Sequence, residues 1–273
     1  GIIFYFGVLA YFITNHFEYP WFMLALTLIT CISFVDDIRS TSQVLRLVFH
    51  FSAMALMFYQ WGLFSLPWWT ILVALIICTG IINAYNFMDG INGITGGYSL
   101  IILVALAYIN REIVSFVEQE LIITVLCSVL VFNFFNFRKH AKCFAGDVGS
   151  VSIAFIVLFL IGKLIIKTED FSWIVLLVVY GVDSVLTIIH RLILHENIGL
   201  PHRKHLYQIM ANELKVPHVV VSSVYMVIQA LVIVGYFYFQ AYGYWYLLSS
   251  ILVLSILYVL FMYKYFDLHF SFN

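Results

Sequence analysis

Apolar stretches recur along this chain at a length that suits a lipid bilayer. Runs near 20–35, 44–60, 67–85, 94–109, 119–136, 148–166, 171–190, 217–240 and 244–266 stand between short polar segments. Each approaches the roughly 17 to 25 residues that a transmembrane helix needs. A shorter apolar run at 1–14 reads as the end of another helix. The pattern predicts an all-α, polytopic integral membrane protein of about ten transmembrane helices. Composition agrees: 64% of residues are hydrophobic and 10% charged, with a mean hydropathy of +1.03, whereas soluble domains carry about 25% charged residues.

Charge changes the picture through its distribution. With the loops assigned alternately and 15–19 placed outside, the inside set holds Arg39, Arg46, Arg138, Lys139, Lys142, Arg191, Arg203, Lys204, Lys215 and Lys264. The outside set holds Arg111, Lys163 and Lys167. The positive-inside rule then orients the protein and puts its polar motifs on the cytoplasmic side. Cys31, Cys78 and Cys127 lie within spans and Cys143 in a short loop, a pattern of small packing residues rather than of disulfides. The chain opens Gly1-Ile2-Ile3 with neither an initiator Met nor a cleavable signal, and is read as N-terminally truncated. No repeat, low-complexity tract or soluble domain interrupts 1–273, so a single transmembrane domain is expected.

Four polar clusters sit at the inside ends of spans. Asp36 and Asp37 close the 20–35 run, with Arg39 and Arg46 following; adjacent carboxylates repel unless a cation lies between them, or they are a helix-end pair in water. Asn83, Asn86, Asp89 and Asn92 recur at a spacing of three beside Gly90, Gly93, Gly96 and Gly97. On a continuous helix they would share a face, serving either interhelical hydrogen bonds or a nucleobase, sugar or phosphate. The glycines would let backbone approach a bulky ligand or let the helix stop. In Asn136-Phe137-Arg138-Lys139-His140-Ala141-Lys142-Cys143-Phe144-Ala145-Gly146-Asp147 three cations precede a carboxylate at a helix start. That Asp147 could hold Mg²⁺ beside an anion site or could be the helix N-cap. The last cluster is Pro201-His202-Arg203-Lys204-His205-Leu206-Tyr207-Gln208, in the long 191–216 segment. It suits phosphate better than zinc, although a basic inside loop serving topology has the same composition. Asp183, within the 171–190 span and two turns before Arg191, reads as a structural partner.

At these residues the chain resembles the polyprenyl-phosphate N-acetylhexosamine-1-phosphate transferase superfamily, which includes the phospho-MurNAc-pentapeptide translocase and the initiating GlcNAc-1-phosphate transferases. The matching motifs are Asp36-Asp37, NAYNFMDGING, FNFRKHAKCFAGDVGS and HRKHLYQ, in the family's order from 36 to 208. The resemblance implies that Asp36 and Asp37 stand near the attacking lipid phosphate and the metal. It implies that Asn83, Asn86 and Asp89 lie on the nucleotide and metal side, and that Lys142 is near the donor. Phe144 would stack on uracil, and His202, Arg203 and His205 would contact donor phosphates. The catalytic set so implied is Asp36, Asp37, Asp147 and His205; the Mg²⁺ set, with Mn²⁺ as substitute, is Asp147, Asp37 and Asn86. Asn92 joins the substrate-binding set although the translocase has an Asp there. The HRKHLYQ form resembles the O-antigen branch. The resemblance further implies that the family's first helix and following basic loop would precede Gly1.

The implied reaction moves HexNAc-1-phosphate from a UDP-N-acetylhexosamine to undecaprenyl phosphate, releasing UMP at the cytoplasmic face of a bacterial inner membrane. A homodimer would fit the family, and no nucleic-acid partner is expected. The competing class is a transporter using intramembrane carboxylates. Cytoplasmic helix ends and the lack of a visible repeat argue against it, and the intact motifs argue against an inactive scaffold.

Overall fold

The computed structural model describes residues 1–39, 41–197 and 203–267. Among them no strand is present, and the helices are α1 (Ile3–Thr14), α2 (Pro20–Ile38), α3 (Gln43–Trp61), α4 (Trp68–Met88), α5 (Ile94–Tyr108), α6 (Gln119–Asn136), α7 (Gly146–Thr168), α8 (Val178–Ile193), α9 (Leu206–Asn212), α10 (His218–Tyr238) and α11 (Gly243–Tyr265). Short 3-10 turns precede α4, α8 and α11, and a π turn at Ile109–Ile113 extends α5. Among the described residues, 8 helices are long and apolar enough to cross a membrane. The all-α, polytopic membrane architecture read from the apolar runs is what the chain forms. Of the ten runs, two fall outside that set. α1 has 12 residues, and α3 has 19 but carries Gln43, Arg46, His50 and Gln60.

Helix α7 lies in the middle of the bundle. Every residue from Val148 to Ile161 is buried, as expected of a helix that is apolar all round because neighbours cover each face. Those neighbours are α1, α2, α3, α4 and α5. Phe22 of α2 stacks on Phe159 with ring centroids 3.8 Å apart, and the Thr30 and Ser152 hydroxyls meet at 2.9 Å. In the other half, Tyr98 stacks on Tyr180 at 3.6 Å while its hydroxyl donates to Gln229 Oε1 at 2.7 Å. Gln229 Nε2 donates onward to the Val175 carbonyl at 3.0 Å. These polar groups inside the apolar bundle are paired with one another, since an unpaired one there is costly.

Successive spans alternate in direction, which gathers their ends at two poles. The ends of α2 and α6 meet the starts of α7 and α5 at one pole, through Asp37 on α7 and Asn136 on Gly93. At the other pole Trp21 N–H donates to Gln60 Oε1 and Phe171 N–H to the Tyr244 hydroxyl. The first pole carries the polar motifs.

Candidate active site

Helix α2 delivers the two adjacent aspartates to different partners. Asp36 Oδ1 accepts from the Thr41 N–H and hydroxyl, both at 2.7 Å, and its Oδ2 accepts from Arg46 at 2.8 Å. It therefore holds the α2–α3 turn and orients Arg46. Asp37 points the other way, accepting the Asp147 and Val148 N–H groups at 3.0 Å each. The two adjacent carboxylates thus turn to separate partners, which relieves their mutual repulsion.

The capping role open to Asp147 is filled from α2: Asp37 accepts the first amides of α7, whose own N-cap residue, Ala145, supplies no side-chain bond. Helix α7 begins with Gly146 at φ +65, a left-handed conformation suited to glycine. A Cβ there would lie 2.7 Å from Asp37 Oδ2. With the first amides capped from α2, the Asp147 carboxylate is free for another task. Asn86 and Arg46 both lie close enough to act on it, and each favours its charged form.

The Asn83–Asn92 stripe is not one helical face. Helix α4 ends at Met88, so Asn83 and Asn86 are helical, Asp89 is the C-cap and Asn92 lies in the following turn. Asp89 Oδ1 accepts from the Thr95 hydroxyl at 2.6 Å. Burial, with the negative charges of Asp147 and Asp37 adding to it, pushes the Asp89 carboxyl up to about 6. Asn92 departs furthest from expectation. Its Nδ2 donates to the Arg138 and Lys139 carbonyls at 3.0 and 3.2 Å, and its own carbonyl accepts from Ser222. It stitches three segments together instead of facing a substrate. The space beside Gly93, Gly96 and Gly97 is filled by Phe137, Asn133 and Met226, which makes those glycines packing contacts for the protein's own side chains.

The 137–145 loop is shaped by Asn136, to which sequence reading gave no role. Its Oδ1 takes the Gly93 N–H and its Nδ2 donates to the Cys143 carbonyl, each at 2.7 Å. Arg138 is folded back over the Phe134 ring, 4.5 Å from its centroid. Lys139, His140 and Lys142 remain exposed, and Phe144 is 70% exposed. An aromatic ring presented in this way beside a lysine can accept a planar ligand.

The basic 203–205 stretch divides. Arg203 is exposed, whereas Lys204 pairs with Glu196, itself bonded to Arg191. His205 is 1% exposed, with its Nδ1 3.2 Å from Asp183 Oδ1. Burial puts it inside the protein as the N-cap of α9, away from the open position expected of a residue that touches donor phosphates. Asp183 is thus the buried structural partner that its place in the span implied, bonded to His205. His202 lies outside the described residues. Tyr207 and Tyr225, missed as partners, complete this cluster: Tyr225 donates to Asp183 Oδ2 at 2.5 Å.

Asp37, Asn86, Asp89 and Asp147 converge, then, with Lys142, Phe144 and Arg203 exposed on the same pole. Among the described residues, no three of His, Cys, Asp and Glu are grouped closely enough to hold an ion by themselves. The donor set nevertheless fits Mg²⁺, which takes one or two carboxylates and completes its shell with water and substrate phosphates. An apolar cavity of about 730 Å³ between α4, α8 and α11 reaches this pole, with Asn83 and Arg191 in its wall.

A model of glycosyl transferase family 4 matches residues 19–165. A Bacillus subtilis (strain 168) protein, provisionally named undecaprenyl-phosphate N-acetylglucosaminyl 1-phosphate transferase, is 31% identical over 149 residues, 53% of this chain and 41% of its own. A Sulfolobus acidocaldarius protein, provisionally named UDP-N-acetylglucosamine--dolichyl-phosphate N-acetylglucosaminephosphotransferase, is 30% identical over 152 residues, 50% of this chain and 45% of its own. The phospho-N-acetylmuramoyl-pentapeptide-transferase of Lactiplantibacillus plantarum is 35% identical over 100 residues, 37% of this chain and 31% of its own. The chain spans less than half the length of these curated relatives. The family match covers more than half of the chain itself and takes in Asp36, Asp37, Asn83, Asn86, Asp89 and Asp147, so the chain belongs to glycosyl transferase family 4.

Proposed function

We propose that this protein transfers a HexNAc-1-phosphate, GlcNAc or a 6-deoxy-HexNAc, from a UDP-sugar to undecaprenyl phosphate. The products are undecaprenyl-diphosphate-sugar and UMP, the first step of a cell-envelope glycan of the O-antigen type. The observation that carries the reading is the convergence of Asp37, Asn86, Asp89 and Asp147 at one pole of an apolar bundle, the same pole toward which the apolar cavity with Asn83 and Arg191 in its wall extends. Such a site lets a lipid tail stay among apolar side chains while its phosphate meets a water-soluble donor. Names of the relatives agree, since two pair a polyprenyl or dolichyl phosphate with N-acetylglucosamine phosphate transfer. The excess of Lys and Arg assigned to this side of the chain supports a location at the cytoplasmic face of the inner membrane.

In the reaction, a phosphate oxygen of the carrier bonds to the β-phosphorus of the donor. The bond from that phosphorus to the bridging oxygen breaks, and its electron pair leaves with UMP. Phosphoryl transfer needs positioning and charge neutralisation above all. Phe144 would stack on the base, and Lys142 and Arg203 would face the donor's negative charge. Mg²⁺, held by Asp147 with Asp37 and Asn86, would supply neutralisation of the diphosphate. Asp36 orients Arg46 and removes no proton, because a phosphate monoester with a second pKa of about 6 is already largely dianionic at neutral pH.

Asn92 separates this reading from phospho-MurNAc-pentapeptide transfer. An ionised aspartate at 92 could not donate to the Arg138 and Lys139 carbonyls as the amide does. The test incubates membranes bearing the full-length protein with undecaprenyl phosphate, Mg²⁺ and a panel of UDP-N-acetylhexosamines plus UDP-MurNAc-pentapeptide. Release of UMP with a simple HexNAc donor is expected. Release with the pentapeptide donor alone moves the assignment to the translocase reaction. Solute flux into proteoliposomes without UMP would favour the transporter reading.

A further inference from the structure

Tyr207 is 0% exposed, and its hydroxyl ends in an unusual place. It donates to the Phe87 carbonyl at 2.8 Å, one of the carbonyls of the last turn of α4. The same hydroxyl lies so close to Gly90 that a Cβ there would collide with it. Between these two residues the chain makes an inverse γ-turn centred on Asp89, with φ −83 and ψ 58 and the Gly90 N–H bonded to the Met88 carbonyl at 3.0 Å. The phenol is wedged across the turn from which Asp89 projects.

Tyr207 is fixed in turn by a buried carboxylate. Asp183, 3% exposed, accepts from the Leu206 N–H and the Thr187 hydroxyl at 3.2 Å each and from Tyr225 at 2.5 Å, with His205 Nδ1 also 3.2 Å away. Two of these partners, His205 and Leu206, immediately precede Tyr207. Such a carboxylate is stable inside the bundle only while its partners stay in place. The network therefore holds the start of α9, and Tyr207 with it, against the end of α4.

We propose that Tyr207 is a positioning residue for Asp89, clamping the α4 end through the Phe87 carbonyl and Gly90, and that Asp183 is the anchor holding Tyr207 in place. This inference rests on the transferase reading for its kinetic consequence but not for its geometry. Tyr207 touches neither donor nor carrier in this assignment. Its loss should loosen the Asp89 carboxylate within the site while the donor contacts of Phe144, Lys142 and Arg203 are kept.

Two measurements on the full-length protein test it. Tyr207→Phe removes one hydroxyl; kcat for UMP release should fall about 10- to 100-fold while KM for the UDP-sugar changes less than about twofold. A raised KM at unchanged kcat, or no change in either, overturns the assignment. The second measurement needs no activity: a thermal-unfolding cycle of Gly90→Ala and Tyr207→Phe in detergent. Gly90→Ala should be costly alone and much less so with Tyr207→Phe, where the nearest ring atoms lie 3.0 and 3.1 Å from the new methyl. Equal cost in both backgrounds shows that the wedge does not exist. If the wild type releases no UMP with any donor, the transferase reading fails while this cycle still decides the clamp. Tyr225→Phe, which takes one donor from Asp183, should lower kcat in the same direction by less; a rise in KM alone would contradict the anchor.

Discussion

At the pole opposite the candidate site, Glu18 and Glu118 face each other with the help of two tyrosines. The Tyr11 hydroxyl donates to Glu18 at 2.9 Å and lies 3.5 Å from Glu118, and Tyr19 donates to Glu118. Lys163 sits over the Tyr19 ring. At the site pole, Asp37, Asp89 and Asp147 converge with much less relief: Asp37 has helix amides, Asp89 one hydroxyl, and Asp147 an amide side chain. Arg46, the cation whose charge reaches Asp147, is already bound to Asp36. One pole satisfies its carboxylates internally; the other leaves negative charge to be neutralised from outside. That imbalance marks the site, because groups with perturbed titration collect where a ligand or ion completes the electrostatics.

The sharpest way to break this contrast is to remove charge at the site pole. Asp147→Asn should reduce UMP release by about 10³-fold or more. Asp36→Asn should cost much less, since that carboxylate serves the turn and Arg46. Initial rates in membranes at saturating donor decide the ranking; equal losses would restore Asp36 as a base or nucleophile. Phe144→Ala comes next. Losing a base-stacking contact costs about 1–3 kcal/mol, so donor KM should rise roughly 10- to 100-fold with kcat nearly unchanged. A fall in kcat alone would remove the ring from the nucleotide.

A third prediction concerns stability. The Asp89 carboxyl is raised by burial to about 6 in the folded protein. A raised acid contributes stability that is fully present below its unfolded pKa and is lost as pH rises through the folded one. In the presence of chelator, Asp89→Asn should therefore melt roughly 2–6 °C above wild type near pH 7.5, with the gap closing near pH 4. The variant should be inactive while more stable, the trade expected of a strained functional group. A constant gap across pH would show that Asp89 carries no such burden.

The same contrast explains which features were legible in the sequence. Spans were readable because an apolar run of bilayer length has few other uses. Alternating their directions is enough to place Asp36-Asp37, Asn86, Asp89 and Asp147 on one side of the membrane. Pairing was not readable. Asp37 caps a helix that begins more than a hundred residues later, and nothing local marks it as the cap. Asn92 looked like part of a binding stripe because a spacing of three implies a helix face only while the helix continues, and α4 stops at Met88. His205 looked like a phosphate ligand by its basic neighbours. Its fate depended on Asp183, another span's residue, reaching the same spot. Asn136 and Tyr207 stood inside quoted motifs, and their roles lay in backbone contacts to Gly93 and Phe87 that residue type does not announce.

The smallest expected effect sharpens the comparison from the distal pole. Glu18 shares a hydrogen bond with Glu118, which raises its carboxyl above the ordinary range. Glu118, although burial pushes it the other way, is held below that range by Tyr19, Glu18 and Tyr11. The contact between the two carboxyls is therefore complete while Glu18 is protonated and loosens as pH rises through the raised Glu18 value. His16 and Lys163 are the cations nearby. Because Glu18 is exposed, solvent screens most of this effect. Glu18→Gln replaces the shared proton with a permanent amide donor, which should flatten the pH dependence of amide exchange in 15–19 and 109–118 between pH 5 and 8. UMP release should stay within about twofold of wild type, since the pair lies at the far end of the bundle. A loss of activity on the scale of Asp147→Asn would mean that the two poles are coupled, and that the distal carboxylates take part in the site's electrostatics after all.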